Sequence, residues 1–195
     1  MAFLTEKAQS AVATTNTGGY LNPTKLESGG SARFALLEDQ PLEYWEAWGE
    51  SGDGRKKPFR FADNPTNDDI EIEMGSDFSR KLNREGTGPE PSKFAIAVPV
   101  FNHDSQKVEI FAATQKGIIK ELDKISQMED YADLLEWDFV LSREGAGLNT
   151  EYSLRAVPRK KGTNPLIKAS YEEAKENGFN INRLLTGGNP FKDEE

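Results

Sequence analysis

With 195 residues, a net charge of −9, no cysteine and a single histidine, the chain has room for one domain plus tails but lacks the residues for much of enzyme chemistry. Disulfides, cysteine nucleophiles, zinc ribbons and iron–sulfur clusters are excluded, and His103 is left as the one candidate base for Ser-His-Asp catalysis, so no enzymatic activity, metal or cofactor is expected. No run of about 18 apolar residues occurs and "MAFLTEKAQSAVATT" has no long apolar centre, so neither a membrane span nor a secretory signal is expected, and a cytoplasmic location is.

Residues 1–30 carry turn signals without a sustained period and read as a loose N-terminal arm with one short helix near its start. The core is expected over 31–162. "SARFALLED" reads as a strand, and "LEYWEAWGE" and "KPFRFA" as two more, joined by "SGDGRK", whose glycines suit positive φ. Residues 64–92, acidic and punctuated by Pro, Gly and Asn, read as an irregular insertion holding one short strand or turn. "KFAIAVPVFN" and "KVEIFAAT" then flank "HDSQ" as a second hairpin, with His103 exposed in its turn.

In "QKGIIKELDKISQM", Ile118, Ile119, Leu122 and Ile125 recur at helical spacing, with Thr114 as the expected N-cap. "WDFVLSREGAGLNTEYSLRAVP" is a third hairpin that turns at "EGAGLN" and ends at Pro158. Residues 163–195 read as a short helix, stopped by Gly178, and a mobile acidic tail. Many short strands around one or two helices point to a mainly β fold: a small, partly open Greek-key barrel resembling the OB-fold, with an irregular insertion and flexible termini.

Charge is segregated along the chain. Asp68, Asp69, Glu71, Glu73 and Asp77 stand without a neighbouring base, whereas Arg55, Lys56, Lys57 and Arg60 cluster, as do Arg80, Lys81 and Arg84, and Arg155, Arg159, Lys160 and Lys161. The acid cluster is read as an exposed loop rather than a metal site, because nothing places a base or nucleophile beside it. "REGAGLNT" lacks the spacing of a phosphate loop and precedes a strand, so it reads as a turn.

"YWEAW" sets two of the three tryptophans within four residues. On a strand, Tyr44 and Trp48 share one face while Trp45 and Ala47 share the other, so both tryptophans cannot enter one core. Tyr44 and Trp48 are expected on a ligand face and Trp45 in the core. Exposed rings beside Arg55, Lys56, Lys57, Phe59, Arg60 and Phe61 would give stacked bases about 1–3 kcal/mol each, with cations to track phosphate. Arg143, Tyr152, Arg155, Arg159 and Lys160 of the third hairpin are expected to join them. At the end of the chain, Phe191, Asp193, Glu194 and Glu195 read as an acidic segment that docks partner proteins and competes with nucleic acid.

The run "ARFALLED…LEYWEAWGESGDGRKKPFRF", then "KFAIAVPVFNHDSQKVEIF", then "DFVLSREGAGLNTEYSLRAVP", resembles the phage-type single-stranded DNA-binding proteins with an OB-fold, over about Ser31 to Lys161. The resemblance implies coating of single-stranded DNA in replication, recombination and repair, with the acidic C-terminus contacting replication or recombination proteins. Several such proteins carry a cysteine-rich zinc insertion where this chain has 64–92 without cysteine, so no zinc is carried over. The alternative is an acidic protein-interaction module, a DNA mimic or an inhibitor of a host enzyme.

Overall fold

A computed structural model of the chain describes residues 19–192. Its strands are β1 (Tyr20–Leu21), β2 (Ser31–Leu36), β3 (Leu42–Ser51), β4 (Lys56–Phe61), β5 (Phe78–Arg80), β6 (Lys93–Asn102), β7 (Lys107–Ala113), β8 (Trp137–Glu144) and β9 (Glu151–Pro158). The α-helices are α1 (Asn67–Met74), α2 (Lys116–Ser126), α3 (Asn164–Glu176) and α4 (Arg183–Thr186). The fold is mainly β, as expected, but the described residues hold four α-helices rather than one or two. All three expected hairpins form: β3–β4, β6–β7 and β8–β9.

The strands make one mixed sheet in the order β1-β7-β6-β2-β8-β9, with β3, β4 and β5 off this path, and its ends do not join. β7 occupies one edge of β6 along Ile96–Asn102. On the other edge β2 pairs Val100–Asn102 and β3 pairs Lys93–Ala97, so β2 and β3 act as one long strand interrupted at 37–41. Pro99 lies at that interruption. Its carbonyl accepts from Leu37 N at 3.0 Å, so its missing N–H faces the break instead of a ladder, which is how a central strand accommodates proline.

β6 is buried on both faces, hence its continuous apolar run. On one face Phe34 stacks with Phe111 and Phe139 at 5.0 and 5.9 Å, and Ile118, Leu122 and Ile125 of α2 pack onto Ile96, Val98 and Leu154. Burying each such side chain contributes about 1.5–3 kcal/mol. On the other face Tyr44, Ala95, Ala97 and Ile110 meet Phe179, Ile181 and Leu184 from the C-terminal region. α2 begins one residue later than expected, with Gln115 at the N-cap and no side-chain cap bond, so Thr114 does not cap it.

The insertion is more ordered than its sequence reads. α1 opens with a reciprocal capping box between Thr66 and Asp69, and its Ile70 and Met74 close over Ala47 and Phe59. Only two buried positions in eight residues make too weak a period to detect, and the Thr-x-x-Asp spacing was the usable signal. In the β8–β9 turn, Gly145 has φ +73° and a Cβ there would strike the Asn149 carbonyl, so glycine is required.

Both expected flexible ends are corrected where described. Residues 19–30 are tied into the sheet: Tyr20–Leu21 pair in parallel with Ile110–Phe111, and Arg143 donates to the Thr24 and Leu26 carbonyls. The short helix expected near the start falls outside the described residues. At the other end Phe191 packs edge-on to Tyr20 with centroids 5.5 Å apart, in the space a Cβ on Gly19 would occupy, so it is an anchor rather than part of a mobile tail.

Candidate nucleic-acid interface

β3 distributes its side chains to two surfaces of the sheet. Trp45 stands opposite Phe61 of β4 on one side and Phe94 of β6 on the other, which sets three half-buried rings in a row across three strands. Trp45 and Phe94 meet edge-to-face at 5.7 Å. One residue pair further along the same face, Ala47 and Phe59 disappear under α1; one pair back, Glu43 lies opposite Ile96 in the core beneath α2. The row therefore lies in the gap between two covering units.

Trp45 and Phe94 line a cleft of about 490 Å³ whose walls carry Arg84 and Glu90 from the insertion, Lys93 from the start of β6 and Lys116 from the start of α2. All three cations are exposed, and among the described residues Arg84 and Lys116 form no ion pair. Lys93 and Lys81 share Glu90, at 2.6 and 3.0 Å. Burial pushes the Glu90 carboxyl up, but hydrogen bonds and charge from Lys93 and Lys81 outweigh it and hold the group below its ordinary 4.5. A carboxyl so held contributes stability that is complete above pH 4.5 and is lost as the pH falls through its lower folded value. Urea midpoints measured against pH are therefore expected to decline below about pH 4.5 more steeply for the wild type than for Glu90→Gln.

The opposite surface holds Tyr44, Glu46 and Trp48 in a groove of about 680 Å³ with Tyr20, Lys25 and Arg60. Trp48 is 37% exposed, and its indole N–H donates to Glu46 Oε1 at 2.9 Å. Glu46 Oε2 accepts from Arg60 Nε at 3.2 Å, and the guanidinium lies 5.6 Å from the Tyr44 ring. Tyr44 is only 2% exposed, and burial followed by the nearby Glu46 charge pushes its phenol up to about 12. The two-face division of "YWEAW" holds, but the roles differ from expectation. Tyr44 is a core residue, Trp48 is open, and Trp45 is half-open because no strand or helix among the described residues covers it.

The other expected contacts divide in the same way. Arg55 pairs with Asp53 at 2.8 Å and Lys56 approaches Glu50 at 3.8 Å, both on the surface where such pairs are weak and easily exchanged for phosphate. Lys57 sits over the Phe59 ring at 4.9 Å, but Phe59 itself is buried under α1 and offers no stacking surface. Phe61 packs partly on that cluster, and Tyr152 partly on the main core. Arg155 and Lys160 are exposed, on or just beyond β9, which stands at the far end of the ladder from β4.

Arg143 and Arg159 are structural, correcting their expected role. Arg143 holds the 24–26 segment, and Arg159 lies 2.7 Å from Asp138 while donating to the carbonyls of Leu135 and Trp137. Asp138 is fully buried and also pairs with Arg33 at 2.8 Å and approaches His103 Nε2 at 3.1 Å. The His103 side chain is 5% exposed, so it is not the free turn residue expected. Asp138 carried no sequence signal beyond being a charge inside an apolar strand, "WDFVL".

No protein-family model, curated protein or solved structure matches the chain. Among the described residues no helix is long and apolar enough to cross a membrane, and no group of three or more His, Asp or Glu side chains is placed to hold a metal ion. Asp193, Glu194 and Glu195 lie outside the described residues.

Proposed function

We propose that the chain binds single-stranded DNA without catalysing a reaction, with bases stacking on the Trp45–Phe94 surface and phosphates held by Arg84, Lys93 and Lys116. The observation that carries this is the ring row itself: Phe61, Trp45 and Phe94 in register on three strands, left uncovered between two units that both turn cations toward it. Half-buried rings backed by a sheet are pre-oriented platforms, and stacking tolerates any base because every base has a π face. A duplex keeps its bases stacked inside and gains only the electrostatic share.

Trp48, with Arg55, Lys56 and Lys57 on the neighbouring hairpin, provides a second platform and phosphate track on the β3–β4 unit. The acidic composition of Asp193, Glu194 and Glu195 supports contacts with replication or recombination proteins, and the preceding Phe191 is packed on Tyr20 at the wall of the Trp48 groove. This corresponds to a coating protein of phage DNA replication, recombination and repair acting in the host cytoplasm. The DNA-mimic alternative gains nothing from the cleft, where three cations face one carboxylate, Glu90.

Titration with oligo-dT tests the proposal. Tryptophan fluorescence is expected to be quenched at low salt, with affinity falling as salt rises by a log–log slope of about −0.7 for each phosphate neutralised. Unchanged fluorescence, or equal affinity for a duplex of the same length, would sink it.

A further inference from the structure

Phe94 closes one end of the Trp45 cleft and also enters a second groove on the same face of the sheet, of about 590 Å³, between residues 37–43 and one side of α2. Its floor is apolar, made by Leu36, Ile96 and Val98 of the sheet with Ile119 and Leu122 of α2. Its walls carry five carboxylates, Glu38, Asp39, Glu43, Asp123 and Asp133, against the single ammonium of Lys120. Among the described residues none of the five is in an ion pair, and Asp39, Glu43, Asp123 and Asp133 are exposed. Glu38 is fixed by the Tyr171 hydroxyl, which donates to it.

The change of sign at Phe94 decides what the groove accepts. Five carboxylates to one ammonium repel phosphate over the Debye length of about 8 Å at physiological salt, so a nucleic-acid strand stops at this boundary. A hydrophilic cation alone would leave the half-buried Ile119 and Leu134 side chains in water. We propose that the groove docks a segment of a partner protein in which large apolar anchors are flanked by lysine or arginine. The anchors displace water from Ile119 and Leu134, the half-buried aliphatic side chains of the lining, giving the salt-insensitive part of the affinity, while the carboxylates speed and orient the encounter. Docking here is independent of the nucleic-acid reading, because Ile119, Leu134 and the carboxylates line this groove and not the Trp45 cleft.

The test uses the full chain and a fluorescein-labelled twelve-residue peptide of leucine and lysine at amphipathic spacing, beside the same peptide with glutamate for lysine. The lysine peptide is expected to bind and the glutamate peptide not. Glu43→Lys/Asp123→Lys is expected to weaken binding at least tenfold. Glu71→Lys/Glu73→Lys, which makes the same change of net charge on the exposed side of α1, is expected to leave it within twofold. Absence of binding, survival of binding in the groove variant, or equal loss in both variants would each overturn the proposal, the last by showing attraction to net charge alone. Sedimentation equilibrium covers the remaining occupant: self-association abolished by Glu43→Lys/Asp123→Lys would assign the groove to a second copy and end the partner proposal. Oligo-dT affinity measured on the same variants keeps the outcomes apart, since a chain that fails to bind DNA can still bind the peptide.

Discussion

Asp138→Ala is expected to lower the unfolding free energy by about 3–5 kcal/mol, the largest single effect of any substitution considered, because removing one partner of a buried ion pair leaves the others as uncompensated charge. The Asp138 carboxylate has no exposure and lies within 2.8 Å of Arg33, 2.7 Å of Arg159 and 3.1 Å of His103 Nε2, and it also accepts the Lys160 N–H at 3.1 Å. It therefore ties β2, the turn after β6 and the chain beyond β9 to one point. Arg159 would keep the Leu135 and Trp137 carbonyls but lose its counter-charge, with its side chain only 13% exposed. At about 2–4 °C per kcal/mol for a chain of this size, the melting temperature should drop by roughly 6–20 °C. Urea unfolding should show a lower midpoint at an unchanged slope. Asp138→Asn, which keeps the shape and one acceptor, should fall between the two; a loss below about 1 kcal/mol for the alanine variant would show that the cluster is not an anchor.

Trp45→Ala is expected to weaken oligo-dT binding by about 1–3 kcal/mol, or roughly 5- to 150-fold, while leaving the salt slope unchanged, because a stacking surface is lost and no counterion is retained. Trp45→Phe keeps a ring in the row and should recover most of the affinity, which separates lost stacking from a disturbed sheet. Arg84→Ala and Lys116→Ala should behave in the opposite sense, each lowering the magnitude of the salt slope by about 0.7 with uniform weakening across sequences. Trp48→Ala is the counter-test. If it costs more than Trp45→Ala, the strand lies on the Tyr44 face, and Glu46 and Arg60, not Arg84 and Lys116, border it.

Much of the architecture was legible because it is written in local pattern. The short apolar runs of "KFAIAVPVFN" and "KVEIFAAT", glycines at the turns, and the Ile118–Leu122–Ile125 spacing each specify an element from fewer than a dozen residues, and these elements form. α1 was missed because a helix with two buried side chains owes its formation to the Phe59 surface it covers, not to its own period. The termini were misread for a related reason. Polar, glycine-rich runs look unstructured until a partner is known, here Ile110–Phe111 for Tyr20–Leu21 and Tyr20 for Phe191.

The candidate site divides along the same line. From the sequence alone it followed that "YWEAW" serves two surfaces, since the pleat sends neighbouring side chains to opposite faces wherever the strand is placed. Which surface stays open depended on what lies across each face: α3, α4 and Phe179 over Tyr44, α1 over Phe59, and no strand or helix of the described residues over Trp45. The cations sorted in the same way. Arg143 and Arg159 looked no different in the sequence from Arg155 and Lys160, but their partners, Thr24 and Leu26 for one and Asp138 for the other, are brought beside them only by folding. Backbone geometry made the alternation of residues readable in advance, while burial and pairing, which join residues far apart in the chain, were decided by the tertiary structure.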